Sequence, residues 1–251
     1  MRSTEVSVLQ WNVWYEEDIR HIAEFLKATP ADIICLQELT VDYPKQTVAD
    51  TPAYIAEQFG YFYAHKALTM GPTEGGSWAL ANGIFSRFPI IDQRAVWINQ
   101  PEDDGGYSDE YRAYVEASLD VGGRRLRVGT AHMSYTDRFK ITPRKRAETD
   151  WLIRELKLQT DDTVFMGDIN ATPDSYTFKE INKLLPSVGP PLEQKTWATK
   201  PFSYDGFEES ELNWRLDYIF ASPDIEVLEA RILKTDYSDH LPVLARLRLT
   251  A

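Results

Sequence analysis

Apolar and polar positions along the chain follow two rhythms. Residues 5–11, EVSVLQW, alternate as a half-buried strand does. DIRHIAEFLKAT (18–29) then places Ile19, Ile22, Phe25 and Leu26 on one helical face, and Pro30 stops the helix. ADIICLQE (31–38) is a short continuous apolar strand with Glu38 at its C-terminal end. The pattern predicts a helix near 52–59 and strands at 61–66, 78–86 and 90–97. PEDDGGYSDE (101–110) reads as a loop from its glycines and acidity. YRAYVEASL (111–119) and RRLRVGTAHM (124–133) are strands joined by a VGG hairpin turn. PRKRAETDWLIRELKLQ (143–159) is a helix with Pro143 in its first turn and Trp151, Leu152, Leu156 and Leu158 as apolar surface. DTVFMGDIN (162–170) is a strand leaving into a loop, followed by helix near 174–185. Beyond a proline-rich loop, strands are expected near 214–221, 225–234 and 242–249.

No linker, low-complexity tract or short-period repeat interrupts this order. Strand–helix–strand grammar near both ends predicts one domain over 1–251, of α/β (α+β) class, with two packed mixed sheets and helices outside. With 251 residues, 43% of them apolar and 12% aromatic, the chain can build a sizeable core, which excludes global disorder. The single cysteine, Cys35, lies in an apolar run and reads as a buried strand thiol. Alone it can form neither an internal disulfide nor a thiolate zinc site. MRSTEVSVLQ has no signal-peptide h-region, and no apolar run approaches the ~20 residues that span a bilayer, so a soluble, cytoplasmic protein is expected. A net charge of -12 opposes long-range attraction to nucleic acid or anionic membranes, although a local basic patch could override it.

Residues able to do chemistry recur at strand ends. Asn12 follows VSVLQW, Glu38 follows DIICLQ, and His132 follows RVGTA; Asp168 and Asn170 follow TVFMG, and Asp239 and His240 precede LPVLARL. Loops at sheet edges can bring such groups together. Asp217 lies inside the aromatic strand RLDYIFAS. A carboxylate there either faces solvent or accepts the N–H of a histidine, fixing its tautomer and favouring its protonated form. In GDIN, Asp168 and Asn170 stand at i and i+2 beyond a strand and could address one oxygen together, or simply build a polar turn.

Taken in order, QWNVW, CLQEL, GTAHM, MGDINATP, RLDYIF and YSDHLPV resemble the endonuclease/exonuclease/phosphatase superfamily, whose members share the DNase I-like fold. The resemblance runs from about residue 5 to 249 and implies a four-layer α/β/β/α sandwich and metal-dependent phosphoester hydrolysis. Carried over position by position, it makes Glu38 the principal Mg²⁺ carboxylate, with Mn²⁺ as an alternative ion. Asn12 would support the metal from the first strand, and Asp239 would be a further contact. Asp168 would orient or deprotonate the attacking water with Asn170 beside it. His240 would contact the scissile phosphate, oriented by Asp217, and His132 would stabilise the phosphate or assist the leaving group. Arg112 stands where many relatives carry a basic residue facing the site. Such chemistry needs a hard cation and hydrogen-bond donors to neutralise phosphoryl oxygens, and a base for the water. Abasic-site endonucleases of this superfamily carry an acidic residue two positions after the asparagine. Here Trp14 stands there, which argues against a second first-strand metal ligand and against DNA repair. Trp14 and Tyr15 could form an aromatic rim for a flat group, or ordinary packing.

RFKITPRKR (138–146) holds five basic residues and could attract phosphate, or could be a solvated helix start with ion-pair partners. The acidic 102–110 run is expected to be a solvated loop, with a cationic head group as the alternative occupant. The expectation is a Mg²⁺-dependent phosphoesterase acting on a phosphodiester. A nuclease or DNA-end-processing enzyme, a sphingomyelinase-like or inositol-phosphate phosphoesterase, and an inactive binding module on the same fold are the alternatives.

Overall fold

The computed structural model describes residues 3–73, 76–99, 111–158 and 162–250; the acidic run 101–110 lies outside them. The chain begins with β1 (Thr4–Asn12), α1 (Ile19–Ala28), β2 (Ile33–Val41) and α2 (Thr51–Phe59). Three long strands follow, β3 (Phe62–Thr73), β4 (Gly76–Ser86) and β5 (Ile90–Asn99), and then the hairpin β6 (Arg112–Val121) and β7 (Arg124–His132). Next come α3 (Pro143–Lys157), β8 (Asp162–Asp168) and α4 (Tyr176–Leu184). The last part holds the short pair β9 (Phe202–Tyr204) and β10 (Phe207–Glu209), then β11 (Asp217–Ala221), β12 (Ile225–Ile232) and β13 (Val243–Leu249).

Two mixed sheets result. One has six strands in the order β12-β13-β1-β2-β4-β3, the other five in the order β11-β8-β7-β6-β5. Among the described residues only β1–β2 and β7–β8 run parallel; each is joined through a helix, as a crossover requires. The β6–β7 hairpin turns on Gly122 and Gly123, at φ 65° and 87°, the left-handed pair that a two-residue turn between twisted strands demands.

The sheets face each other across an apolar layer that includes Val8, Ile33 and Cys35 from one and Val128, Met166 and Ile219 from the other. Outside the first sheet, Ile19, Ile22 and Leu26 of α1 and Ile55 of α2 cover Leu9, Ile34 and Phe85. Leu152 and Leu156 of α3 and Phe178 and Ile181 of α4 cover Phe165, Tyr218 and Phe220. Each such side chain contributes about 1.5–3 kcal/mol by leaving water, so the four-layer sandwich follows from the two periodicities. Among the described residues no helix is long and apolar enough to cross a membrane.

Four expectations need correction. β2 does not end at Glu38; it continues to Val41 through a bulge, one extra residue between the pairs Leu36↔Gly83 and Leu39↔Ala81. Leu158 is 69% exposed, because α3 ends at Lys157, while Ile153 joins Leu152 and Leu156 on the inward face. β3 runs well past residue 66. The proline-rich stretch after α4 holds the β9–β10 hairpin, which packs Phe202 and Phe207 with Phe139, Trp197 and Trp214.

Candidate active site

Strand register assembles the site. The parallel β7–β8 ladder sets His132 beside Asp168, and antiparallel β11 sets Asp217 on the other side of Asp168. Asn12 ends β1 in the opposite sheet, and the β2 bulge gives Glu38 a left-handed φ of 60° that turns its side chain toward the same edge. Gly167 is required for this packing, since a Cβ there would collide with the Ala131 carbonyl oxygen of β7. The loop before β13 closes the site: Trp11 Nε1 donates to the His240 carbonyl at 3.0 Å, and Ser238 Oγ donates to the Asn12 carbonyl at 2.7 Å while accepting from the His240 N–H at 3.0 Å.

Asp168 is the focus. Asn12 Nδ2 donates to its Oδ2 at 3.1 Å, and His132 Nε2 and His240 Nε2 stand 3.5 and 3.7 Å from the same oxygen. The Asn170 N–H donates to Oδ1 at 2.9 Å. Burial, with Asp217 adding to it and His240 opposing, pushes the Asp168 carboxyl up to about 6.

His240 Nδ1 lies 2.8 Å from Asp217 Oδ2. Burial alone would discharge the imidazole, but Asp217, Asp239 and Asp168 together hold its pKa well above the ordinary value. Asp217 is fully buried and is held in turn by Gln10 Nε2 at 3.3 Å. Gln10 and Gln37 exchange amide bonds at 2.5 and 3.0 Å, and Gln37 Nε2 donates to Thr130 Oγ1 at 2.9 Å. Thr196 Oγ1 accepts the Leu216 and Asp217 N–H groups at 3.1 and 3.3 Å, fixing the start of β11.

A histidine whose folded pKa is raised contributes stability below its unfolded pKa of about 6.5, and that stability is lost as pH rises through the folded value. The unfolding free-energy difference between wild type and Asp217→Asn, measured by urea titration in EDTA, should therefore be largest below about pH 6.5 and shrink as the pH is raised above it. A pH-independent difference would mean that His240 is not held protonated.

His132 behaves oppositely. Burial, helped by the charge of Arg112, pushes it well below the ordinary histidine range. Asn170 Nδ2 donates to the Met133 carbonyl at 3.0 Å and sits 3.0 Å from His132 Nε2. A neutral ring accepting that bond carries its proton on Nδ1, 3.9 Å from Glu38 Oε1. The Asn170 side chain is thus engaged with the β7 loop; its backbone, rather than its amide group, serves Asp168. Arg112 is buried at the start of β6, and its N–H donates to Asn99 Oδ1 at 2.9 Å.

Glu38 and Asp239 form the site's anionic end. Burial, then the charge of Asp239, pushes the Glu38 carboxyl up to about 7. Glu38 accepts from Asn12 Nδ2 at 2.8 Å and from the Tyr15 N–H at 3.3 Å, and Asp239 Oδ2 accepts from Trp197 Nε1 at 3.0 Å. Two carboxylates that repel each other in a desolvated cleft fit a hard divalent cation, which would relieve both. Asn12 faces this end with its amide nitrogen, its oxygen accepting the Trp14 N–H at 3.1 Å, so it positions Glu38 rather than presenting a free ligand oxygen. Asp168, Asp217 and His240 also bring donor atoms within 4.8 Å of one another. There the Asp217–His240 hydrogen bond already occupies Asp217 Oδ2 and His240 Nδ1.

The rim differs in part from expectation. Tyr15 packs against Tyr43 and Trp78, at ring distances of 5.5 and 5.8 Å, and is wall rather than platform. Trp14 lies under the Lys200 ammonium at 4.5 Å. The basic run is internally engaged: Arg138 and Lys140 pair with Asp137, Arg144 with Glu148, and Arg146 stacks on Tyr176, while Lys145 is buried. Sequence reasoning passed over Gln10, Gln37, Thr130, Thr196, Trp197 and Ser238. The first two were detectable as amides inside otherwise apolar strand runs.

The profile of the "Endonuclease/Exonuclease/phosphatase family" matches residues 9–240. Among solved structures, an endonuclease/exonuclease/phosphatase from Beutenbergia cavernae superimposes with TM-score 0.79 at 21% identity, over 98% of this chain and 72% of that one. A family protein from Bacteroides thetaiotaomicron gives 0.71 at 16% identity over 100% of both chains. A mannosyl-6-phosphatase from the same organism gives 0.64 at 16% identity, over 96% of this chain and 99% of that one. At these identities the likeness concerns the fold. No curated protein sequence matches the chain.

Proposed function

Because this chain belongs to the endonuclease/exonuclease/phosphatase family, whose members are hydrolytic phosphoesterases that generally depend on a divalent metal, we propose that it hydrolyses a phosphodiester with Mg²⁺ or Mn²⁺ as cofactor. The observation that carries this reading is the convergence on Asp168 Oδ2 of Asn12 at 3.1 Å and of two imidazoles of opposite protonation at 3.5 and 3.7 Å.

In this reading Asp168 takes the proton of the attacking water. A pKa near 6 suits a base that must be ionised at neutral pH yet still bind a proton. The His240 imidazolium, fixed by Asp217, donates its Nε2–H to a phosphoryl oxygen as charge builds there. His132, neutral with its proton on Nδ1, offers that hydrogen to the phosphate or the departing oxygen. Glu38 and Asp239, with Asn12 behind them, would hold the cation; the chemistry it supplies is neutralisation of the phosphoryl and leaving oxygens. The site's own positive charge is mainly one imidazolium with Arg112 behind His132, which suits a monoanionic diester better than a dianionic monoester.

Mg²⁺ or Mn²⁺ should support cleavage of bis(p-nitrophenyl) phosphate, EDTA should abolish it, and p-nitrophenyl phosphate should be cleaved more slowly. A parallel panel of single- and double-stranded DNA, RNA, sphingomyelin and inositol phosphates identifies the natural class. Absence of metal-dependent turnover on every substrate would remove this reading.

A further inference from the structure

We propose that Lys145 is a positioning residue that locks the Ile169–Asn170 peptide, and through it the Asp168 carboxylate, in its working orientation; the inference rests on the phosphoesterase reading above. Lys145 lies on α3 and is 2% exposed. Its Nζ donates to the Ser134 carbonyl at 2.6 Å and to the Ile169 carbonyl at 2.7 Å. These two oxygens belong to the loops that leave β7 and β8 just after His132 and Asp168, where the parallel ladder between the strands has ended.

A trans peptide sends its C=O and N–H to opposite sides. Fixing the Ile169 carbonyl on Lys145 therefore aims the Asn170 N–H the other way, where it meets Asp168 Oδ1 at 2.9 Å. Asn170 has φ 46°, in the left-handed region that disfavours residues with a side chain, asparagine less than most. Rotation of this peptide would return Asn170 to negative φ, withdraw the N–H from Asp168 and carry the side-chain amide away from Met133 and His132. The preceding peptide is pinned by the Ile169 N–H, which donates to the Leu216 carbonyl at 3.1 Å, so the rotation would centre on the Ile169–Asn170 link. A strained conformation persists only when its surroundings over-determine it. Lys145 is the group on the carbonyl side that does so. Glu148, one turn along α3, steadies the same junction by accepting from Ser134 Oγ at 2.6 Å. Among the described residues the hydrogen bonds of Nζ go to two carbonyl oxygens, so Lys145 supports the chemistry by positioning the loops.

The test compares wild type, Lys145→Met and Lys145→Arg by steady-state kinetics on bis(p-nitrophenyl) phosphate with Mg²⁺, and by ¹H–¹⁵N NMR of the metal-free proteins with the Asn170 amide assigned. In the wild type that amide, bonded to a carboxylate, should resonate far downfield and exchange slowly. Lys145→Met should return it to the ordinary amide range and lower kcat about 100-fold with KM changed only a few-fold, the loss typical of a misplacement of about 1 Å. Lys145→Arg, which keeps donors for both carbonyls, should recover most of both signals; if the methionine variant does not fold, Lys145→Ala replaces it with the same readouts. An unmoved Asn170 resonance, or a folded donor-free variant with wild-type kcat, overturns the lock. Should the wild type cleave no phosphoester, the proposed function falls, and the Asn170 amide still decides whether Lys145 holds the peptide.

Discussion

Asp168→Asn is expected to lower kcat by about 1,000-fold, in the middle of the range for removing a positioned base. An amide cannot take the proton of the water, and its nitrogen would face the Asn12 amide and the His240 imidazolium that now point at Oδ2. The same substitution should leave a second trace, in stability. The folded carboxyl titrates near 6 against an unfolded value near 4, so the folded state binds more protons between those values and loses stability as pH rises through the window. Two units amount to roughly 3 kcal/mol. Between pH 4 and 7.5, denaturant unfolding in EDTA should move the wild type–variant difference in favour of Asp168→Asn by an amount of that order. Retained turnover, or a difference that moves the other way, would mean that Asp168 is neither the base nor held at a loss to the fold.

The second large effect concerns the cation. Glu38→Gln should abolish metal-stimulated turnover and weaken Mg²⁺ binding by roughly 100-fold or more, beyond what loss of an outer-shell partner produces. Thermal melting reads this without activity. Mg²⁺ at 100 times its dissociation constant should stabilise the wild type by about 2.7 kcal/mol, and the variant hardly at all at the same concentration. Because the Glu38 carboxyl titrates near 7 before a cation arrives, protons compete with the metal, and the wild-type midpoint shift should diminish as pH falls below about 7. Equal Mg²⁺ shifts in both proteins would place the cation elsewhere.

Most of the fold was legible because burial imposes periods of two and 3.6 on the chain, and a helix such as Ile19–Ala28, with Ile19, Ile22, Ala23 and Leu26 buried, keeps its period cleanly. What escaped was set by partners distant in sequence. Glu38 reads as a strand end, yet the bulge depends on how β4 pairs beyond it. The β9–β10 hairpin is three residues on each side and is held by aromatic contacts from Phe139 and Trp197, so local propensity says little about it. Lys145 was counted within a basic run, although Lys145, Glu148, Thr149, Leu152 and Leu156 fall on one helical stripe. Polar residues on the buried stripe of α3 could have marked the end facing the loops of the candidate site. For the site, the chain order of motifs brought forward nine residues, and their geometry supplied what order could not. Asn170 works through its backbone, Asn12 faces carboxylates with its nitrogen, and Gln10 with Gln37 stands behind Asp217.

β1 sits between β2 and β13, pairing with residues 243–249 at the far end of the sequence. Trp11 and Asn12 reach His240 and Ser238 across 229 and 226 positions. During synthesis, then, the first strand emerges long before its partner at 243–249, and the candidate site stays open until that strand follows. A chain cut ahead of residue 238 would lack Asp239 and His240 and would leave one edge of β1 unpaired and open to misassociation.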